Sequence, residues 1–145
     1  MFRSALLAAS LALAAPAHAE FISRTVEGSF ADVAFALENA IVGRGLVIDY
    51  VSHVGDMLER TRADVGGSVT LFTAANVYQF CSATLSRKMM EADPANIRFC
   101  PYGIVVMEQP DAPGKITLGF DALPEGPMQE VQALLAEIVA EAAGD

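Results

Sequence analysis

Two apolar stretches near the C-terminal end, Tyr102–Glu108 and Lys115–Phe120, are separated by Gln109-Pro-Asp-Ala-Pro-Gly114. The second stretch alternates apolar and polar residues, the pattern of a half-buried strand, and the first is strongly apolar. Two prolines fit no strand interior, so the six residues between are a turn. Strands joined by so short a turn pair antiparallel, because a parallel return needs a crossover of a dozen residues or more. This hairpin directs the chain toward an α+β class rather than a parallel, doubly wound one.

The rest of the chain alternates strand and helix patterns. Phe21–Glu27 is β-branched and alternating, and Gly28 ends it. Ser29 offers a helix cap, and Asp32 sits in the first turn, where the helix dipole favours a negative charge. Phe30, Val33, Ala34, Leu37, Ala40 and Ile41 recur at helical spacing, and Gly43 and Gly45 close that helix. Residues 46–51 read as a second strand and residues 57–63 as a short helix with Asp56 as its cap. Residues 68–72 fit either a helical turn or an irregular approach. Residues 75–80 are a third strand. Ser82 caps a helix running to Ala92, which Asp93-Pro94 stops, since a proline disfavours helix in the residue before it. After a linker, Pro127 suits the first helical position. Met128, Val131, Leu134, Leu135, Ile138 and Val139 form one face of a last helix reaching Ala143. The expected order is β-α-β-(α)-β-α-β-β-α: one mostly antiparallel sheet with helices mainly on one face.

Residues 1–19 resemble an export signal. Arg3 is the positive start, residues 5–15 are an apolar run of alanine and leucine, and Ala17-His18-Ala19 fits the cleavage rule. The run is shorter than the roughly 20 residues a membrane helix needs. Cleavage after Ala19 leaves a single domain of 126 residues, 20–145, long enough for a core. No cysteine follows the cut, so a lipid anchor is excluded there. The expectation is a periplasmic protein, free of the membrane after cleavage. Eighteen acidic residues against nine basic ones, one of them Arg3, give the mature chain a net charge near −10. Such a surface repels phosphate backbones, which argues against nucleic acid as a partner.

Val77 to Tyr102 holds both cysteines, Cys81 and Cys100, each after a phenylalanine. With Arg24-Thr-Val-Glu-Gly-Ser-Phe30, the helix ending near Gly45, Phe80-Cys81-Ser-Ala, Glu91-Ala-Asp-Pro94 and Pro101-Tyr-Gly-Ile-Val-Val-Met107, this stretch resembles the domain of unknown function 302 family. The resemblance spans nearly all of the mature chain. It implies a compact α+β fold similar to the TATA-binding-protein-like class, and a homodimer. It implies no reaction.

The site candidates are Cys81, Cys100, Tyr102 and Arg87. In an oxidising compartment two cysteines usually pair, so Cys81 and Cys100 are a possible disulfide closing a loop of about 20 residues. The pairing depends on strand direction: antiparallel neighbours bring the sulfurs together, and parallel ones leave them at opposite ends of the sheet. The alternatives are a reactive thiol and two inert buried thiols. Cys81 precedes a helix N-terminus, where the dipole lowers a thiol pKa, and Arg87, Lys88 and Arg98 add positive charge. There is no Cys-x-x-Cys. Met89 and Met90 add soft sulfur, but adjacent helical residues point about 100° apart and do not share one ion, so no metal site is assigned. His53, the lone histidine of the mature chain, reads as a loop residue, Glu91 and Asp93 as a solvated helix end, and Gly66-Gly67 as lacking the context of a phosphate loop. No cofactor is required. The expectation is a ligand-binding or accessory protein with a site near Cys81 and Cys100 and an unidentified small ligand or protein partner. The alternative is a thiol-dependent redox or sulfur-handling protein.

Overall fold

The computed structural model describes residues 20–145. The stretch read as an export signal lies outside the described residues. The elements are β1 (Phe21–Glu27), α1 (Phe30–Val42), β2 (Val47–Ser52), α2 (Val54–Thr61), β3 (Ala74–Cys81), α3 (Ala83–Ala92), a 3-10 turn (Pro94–Phe99), β4 (Tyr102–Glu108), β5 (Lys115–Asp121) and α4 (Gln129–Ala143). Among the described residues no helix is long and apolar enough to cross a membrane.

The five strands form one sheet in the order β1-β5-β4-β3-β2, and every neighbouring pair is antiparallel. The fold is therefore α+β, as the terminal hairpin implied. Alternation along the strands sorts the two faces. Tyr78, Phe80, Tyr102, Ile104, Val106, Ile116, Leu118 and Phe120 are buried on one of them. They meet Val33, Leu37 and Ile41 of α1 and Val131, Leu135 and Ile138 of α4 in one core. These helical residues recur at three- and four-residue spacing, so each helix presents one apolar stripe to the sheet. Arg44, at the C-terminal end of α1, donates to the Ala40 carbonyl and pairs with Glu141, tying α1 to α4.

Sequence signals placed most boundaries within two residues. The short helix α2 starts earlier than expected, at Val54; His53 takes the cap position without a side-chain bond, and Asp56 falls in the first turn. Its Gly55 lies against the β3 backbone, where a Cβ would stand 2.6 Å from the Ala75 nitrogen. Close approach of helix to strand thus sets that helix, not a cap. Residues 66–73 carry neither helix nor strand. Asp93-Pro94 ends α3 as expected, but the chain does not pass directly into a strand. The Asp93 side chain accepts from the Ala95 amide, and Pro94 opens the 3-10 turn, the position where a missing N–H costs nothing. The last helix begins at Gln129, two residues after Pro127.

Candidate functional site

The β3–β4 ladder runs from Ala74–Glu108 to Phe80–Tyr102. Cys81 closes β3 and Cys100 stands two residues before β4, so both leave the same end of an antiparallel pair. This is the arrangement in which the two sulfurs can meet. The Cys100 thiol is the direct neighbour of the Cys81 thiol. Both cysteines are part-buried and unbonded to each other.

Ser82 caps α3 by accepting from the Leu85 amide, and this places Ser86 in the first turn beside the pair. The Ser86 hydroxyl lies 3.6 Å from the Cys100 sulfur and 3.0 Å from the Tyr102 hydroxyl. The Tyr102 ring is 4% exposed. It packs edge-on against Phe80, with centroids 6.4 Å apart and planes at 79°. Cys81, Cys100, Ser86 and Tyr102 thus form one cluster. Ser86 was not singled out from the sequence; its place one turn after the Ser82 cap is the signal that would have found it.

The electrostatics of this cluster bear on one of the alternatives. A reactive thiol at Cys81 calls for a lowered pKa at the helix N-terminus; instead the Cys81 thiol is pushed up to about 12. Burial is the main cause, followed by the hydrogen bond with Cys100, the charge that Cys100 would carry, and that of Asp49; the Tyr102 backbone bond acts the other way. The physical reason is position. Cys81 is the last strand residue, and Ser82 occupies the cap that faces the helix amides. Tyr102 is also raised, first by burial and then by the neighbouring cysteines, against a lowering from the Ser86 hydrogen bond.

Arg87 is not brought to the cluster. Its side chain is 81% exposed and pairs with Glu91 one turn along α3. Lys88 pairs with Glu130 at the start of α4, and Arg98 stacks on the Phe99 ring. Met89 is buried in the core. His53 bonds Asn76 at 3.0 Å, just beyond the far end of β2 from Val47, the residue paired with Cys81. Six strand residues separate those positions, about 20 Å, so no Cys-His-Asp arrangement assembles. Among the described residues no group of three or more His, Cys, Asp and Glu side chains is placed to hold a metal ion.

Beside the cluster the sheet parts. The β4–β5 ladder stops at Val105–Gly119. Both strands continue: β4 pairs with β3 as far as Tyr102, and β5 with β1 as far as Asp121. Tyr102, Gly103 and Ile104 therefore have no β5 partner across the split. A cavity of about 200 Å³ opens there, walled by residues of both sheet faces, among them Phe21, Phe99, Tyr102, Gly103, Val105 and Leu135. The linker after β5 helps to shape it. Gln132 accepts from the Leu123 amide, and Gln129 donates to the Leu123 and Pro124 carbonyls, which holds Leu123 at the cavity wall. On the other side the Phe21 ring lies over Gly119, where a Cβ would stand 2.6 Å from its tip. Alternation identifies strands but does not show where a ladder ends, so sequence reasoning missed the split. A second cavity of about 180 Å³ lies between α2 and the following loop, lined by Leu58, Val69, Leu71 and Phe72 among others. It holds none of the sequence candidates.

Comparison with known proteins places this geometry in a family. No curated protein matches the chain. A solved structure, described as the crystal structure of uncharacterized conserved protein DUF302 from Bacillus stearothermophilus, superposes with a TM-score of 0.61. It is 14% identical and covers 86% of this chain and 93% of its own, a likeness of fold alone. The family whose profile matches is described as domain of unknown function DUF302, and the match runs over residues 22–143. Since that match takes in every described helix and, but for Phe21, every described strand, the chain belongs to the DUF302 family.

Proposed function

We propose that this protein is a ligand-binding or accessory protein whose site is the split between β4 and β5, next to Tyr102 and the two cysteines. One observation carries the reading: an apolar cavity lies where two adjacent strands stop pairing. Backbone amides and carbonyls are strong hydrogen-bonding groups and rarely stay unpaired when water is excluded. A split lined by Phe21, Phe99, Val105 and Leu135 offers both apolar walls and strand groups without ladder partners. The occupant that fits is a small planar apolar molecule with a polar edge. A ligand of about nine non-hydrogen atoms gains roughly 3–6 kcal/mol, a Kd between millimolar and tens of micromolar. Tyr102 connects the split to the cysteines, since its ring walls the cavity and its hydroxyl bonds Ser86.

Indole is a suitable probe. Titrated into the isotope-labelled protein, it should give saturable amide shifts at Gly103, Val105 and Asp121. Absence of any saturable shift at those residues up to millimolar indole would remove the reading.

The second reading is thiol-dependent redox or sulfur handling. The neighbouring Cys81 and Cys100 thiols favour it. The raised pKa of Cys81 disfavours a resting thiolate at that residue, because the thiolate is the nucleophile. Thiol alkylation of the native reduced protein separates the two readings. Fast modification of either cysteine at neutral pH supports thiol chemistry; slow modification of both leaves binding in the split.

A further inference from the structure

We infer that Cys81 and Cys100 are an oxidisable pair that closes to a disulfide by exchange with a small disulfide, and that the bond fixes the Tyr102 wall of the split. The closure itself does not depend on the binding reading. The geometry supplies three supports. Both cysteines leave the same end of the β3–β4 pair, just past its last rung. The Cys81 and Cys100 thiols are close enough to act on each other's protonation. Ser86, fixed by the α3 cap, closes the other side of Cys100 at 3.6 Å. Nothing has to cross the sheet for the sulfurs to join, and both are part-buried rather than enclosed.

The exchange has two steps. The Cys100 thiol loses its proton to solvent, and its sulfur attacks one sulfur of the reagent. The reagent S–S bond breaks, one reagent thiolate leaves, and Cys100 is held as a mixed disulfide. Cys81 then gives up its proton and attacks the Cys100 sulfur, and the second reagent thiolate leaves. Two electrons pass from the cysteines to the reagent, which takes up two protons as two thiols. Cys81 suits the second step, because an attacking group already in contact reacts at high effective concentration and tolerates a poor ionisation. In the reduced pair the Cys100 thiol can give or accept a hydrogen at Ser86; in the bonded pair the sulfur only accepts. The Ser86–Tyr102 contact is then set by oxidation state, which couples the pair to the cavity wall.

The test uses the purified full chain, reduced and then treated with excess oxidised glutathione. Intact mass should fall by about 2 Da relative to the reduced protein, and denatured thiol titration should fall from two groups to none. A loop of about 20 residues closed in the unfolded chain should raise Tm by about 10 °C, reversed by dithiothreitol. Cys81→Ser and Cys100→Ser should each keep the Tm of the reduced protein; Cys81→Ser should stop at a stable glutathione adduct on Cys100, and Cys100→Ser should keep its one thiol free over the same time. A wild-type protein that keeps two thiols, or stops at that adduct, overturns the inference, and this readout stands without any variant. Indole titration of both states reads the coupling separately. Equal shifts at Gly103 in the two states would overturn the wall-fixing step and leave the exchange intact.

Discussion

Two glycines on the same face of the sheet should respond to one added methyl with opposite signs. Gly103 lies on β4 at the split, and a Cβ there meets only the Val77 side chain, at 3.6 Å, an ordinary contact. Gly119 lies on β5 two rungs away, and a Cβ there stands 2.6 Å from the Ile22 carbonyl oxygen, 2.6 Å from the Phe21 ring and 2.8 Å from the Ser23 Cβ. Glycine inside a strand costs roughly 0.5–1 kcal/mol against alanine, so Gly103→Ala should stabilise by about that much and raise Tm by about 2–5 °C. Gly119→Ala removes the same entropic cost but must push back Phe21 and the β1 backbone. With a backbone oxygen at 2.6 Å the overpacking cost belongs to the upper part of the usual 1–3 kcal/mol range, about 2–3 kcal/mol, so the net loss is about 1–2.5 kcal/mol and Tm should drop by about 4–10 °C. Thermal unfolding followed by circular dichroism, with urea titration as a check on two-state behaviour, measures both. The binding site gives a second readout. Gly103→Ala narrows the split and should weaken the indole shifts while the protein becomes more stable. The double variant Phe21→Ala, Gly119→Ala should relieve the ring contact but not the contact with the Ile22 carbonyl, and so recover part of the loss. A neutral Gly119→Ala, or a Gly103→Ala that destabilises by more than about 1 kcal/mol, would refute the packing described around the split.

Three further predictions follow from the core and the cluster. Phe80 is fully buried and carries the Tyr102 ring, so Phe80→Ala should cost about 3–5 kcal/mol by urea unfolding; a loss under about 1 kcal/mol would contradict its place in the core. Cys81, Tyr78 and Tyr102 all have pKa values raised by burial, so each holds its proton more tightly in the folded state than in the unfolded one. The Cys81 contribution to the stability of the reduced protein is present below about pH 9 and is lost as pH climbs toward about 12, and the two tyrosines add losses that begin above their ordinary pKa of 10.0. Urea midpoints taken across that window should fall, and less steeply in Cys81→Ala; a flat profile would refute the burial of these groups. Arg87→Ala breaks only an exposed pair, so stability should stay within about 0.5 kcal/mol and the rate of thiol oxidation should not change. A slowed oxidation would place Arg87 back at the cysteines.

The parts of the fold that were legible in the sequence are those fixed by local chemistry. The Pro-rich turn between β4 and β5, the Ser29 and Ser82 caps and the Asp93-Pro94 stop each act through one or two residues, and each appears where expected. Packing decided the rest. The start of α2 follows from Gly55 meeting the β3 backbone, a contact between residues twenty apart in sequence. The 3-10 turn after Asp93 was hidden because a proline that ends one helix also opens the next turn. Strand direction was the quantity on which the cysteine question rested. The hairpin fixed it for β4 and β5, but for β3 and β4 only the assembled sheet order supplies it.

The candidate site was legible as residues rather than as a place. Cys81, Cys100 and Tyr102 do converge, and Arg87 does not, because α3 turns that side chain outward to Glu91. Proximity in sequence to a helix start was a poor guide to the Cys81 proton. The cap residue faces the helix amides, and the residue before it belongs to the strand and to its burial. What sequence reasoning lacked altogether was the split, since it arises where a ladder ends while both strands go on pairing elsewhere. The two findings meet at Tyr102. One side of this residue bonds the Ser86 that touches Cys100, and the other walls an apolar cavity, so the disulfide closure and the binding site proposed above share this one side chain.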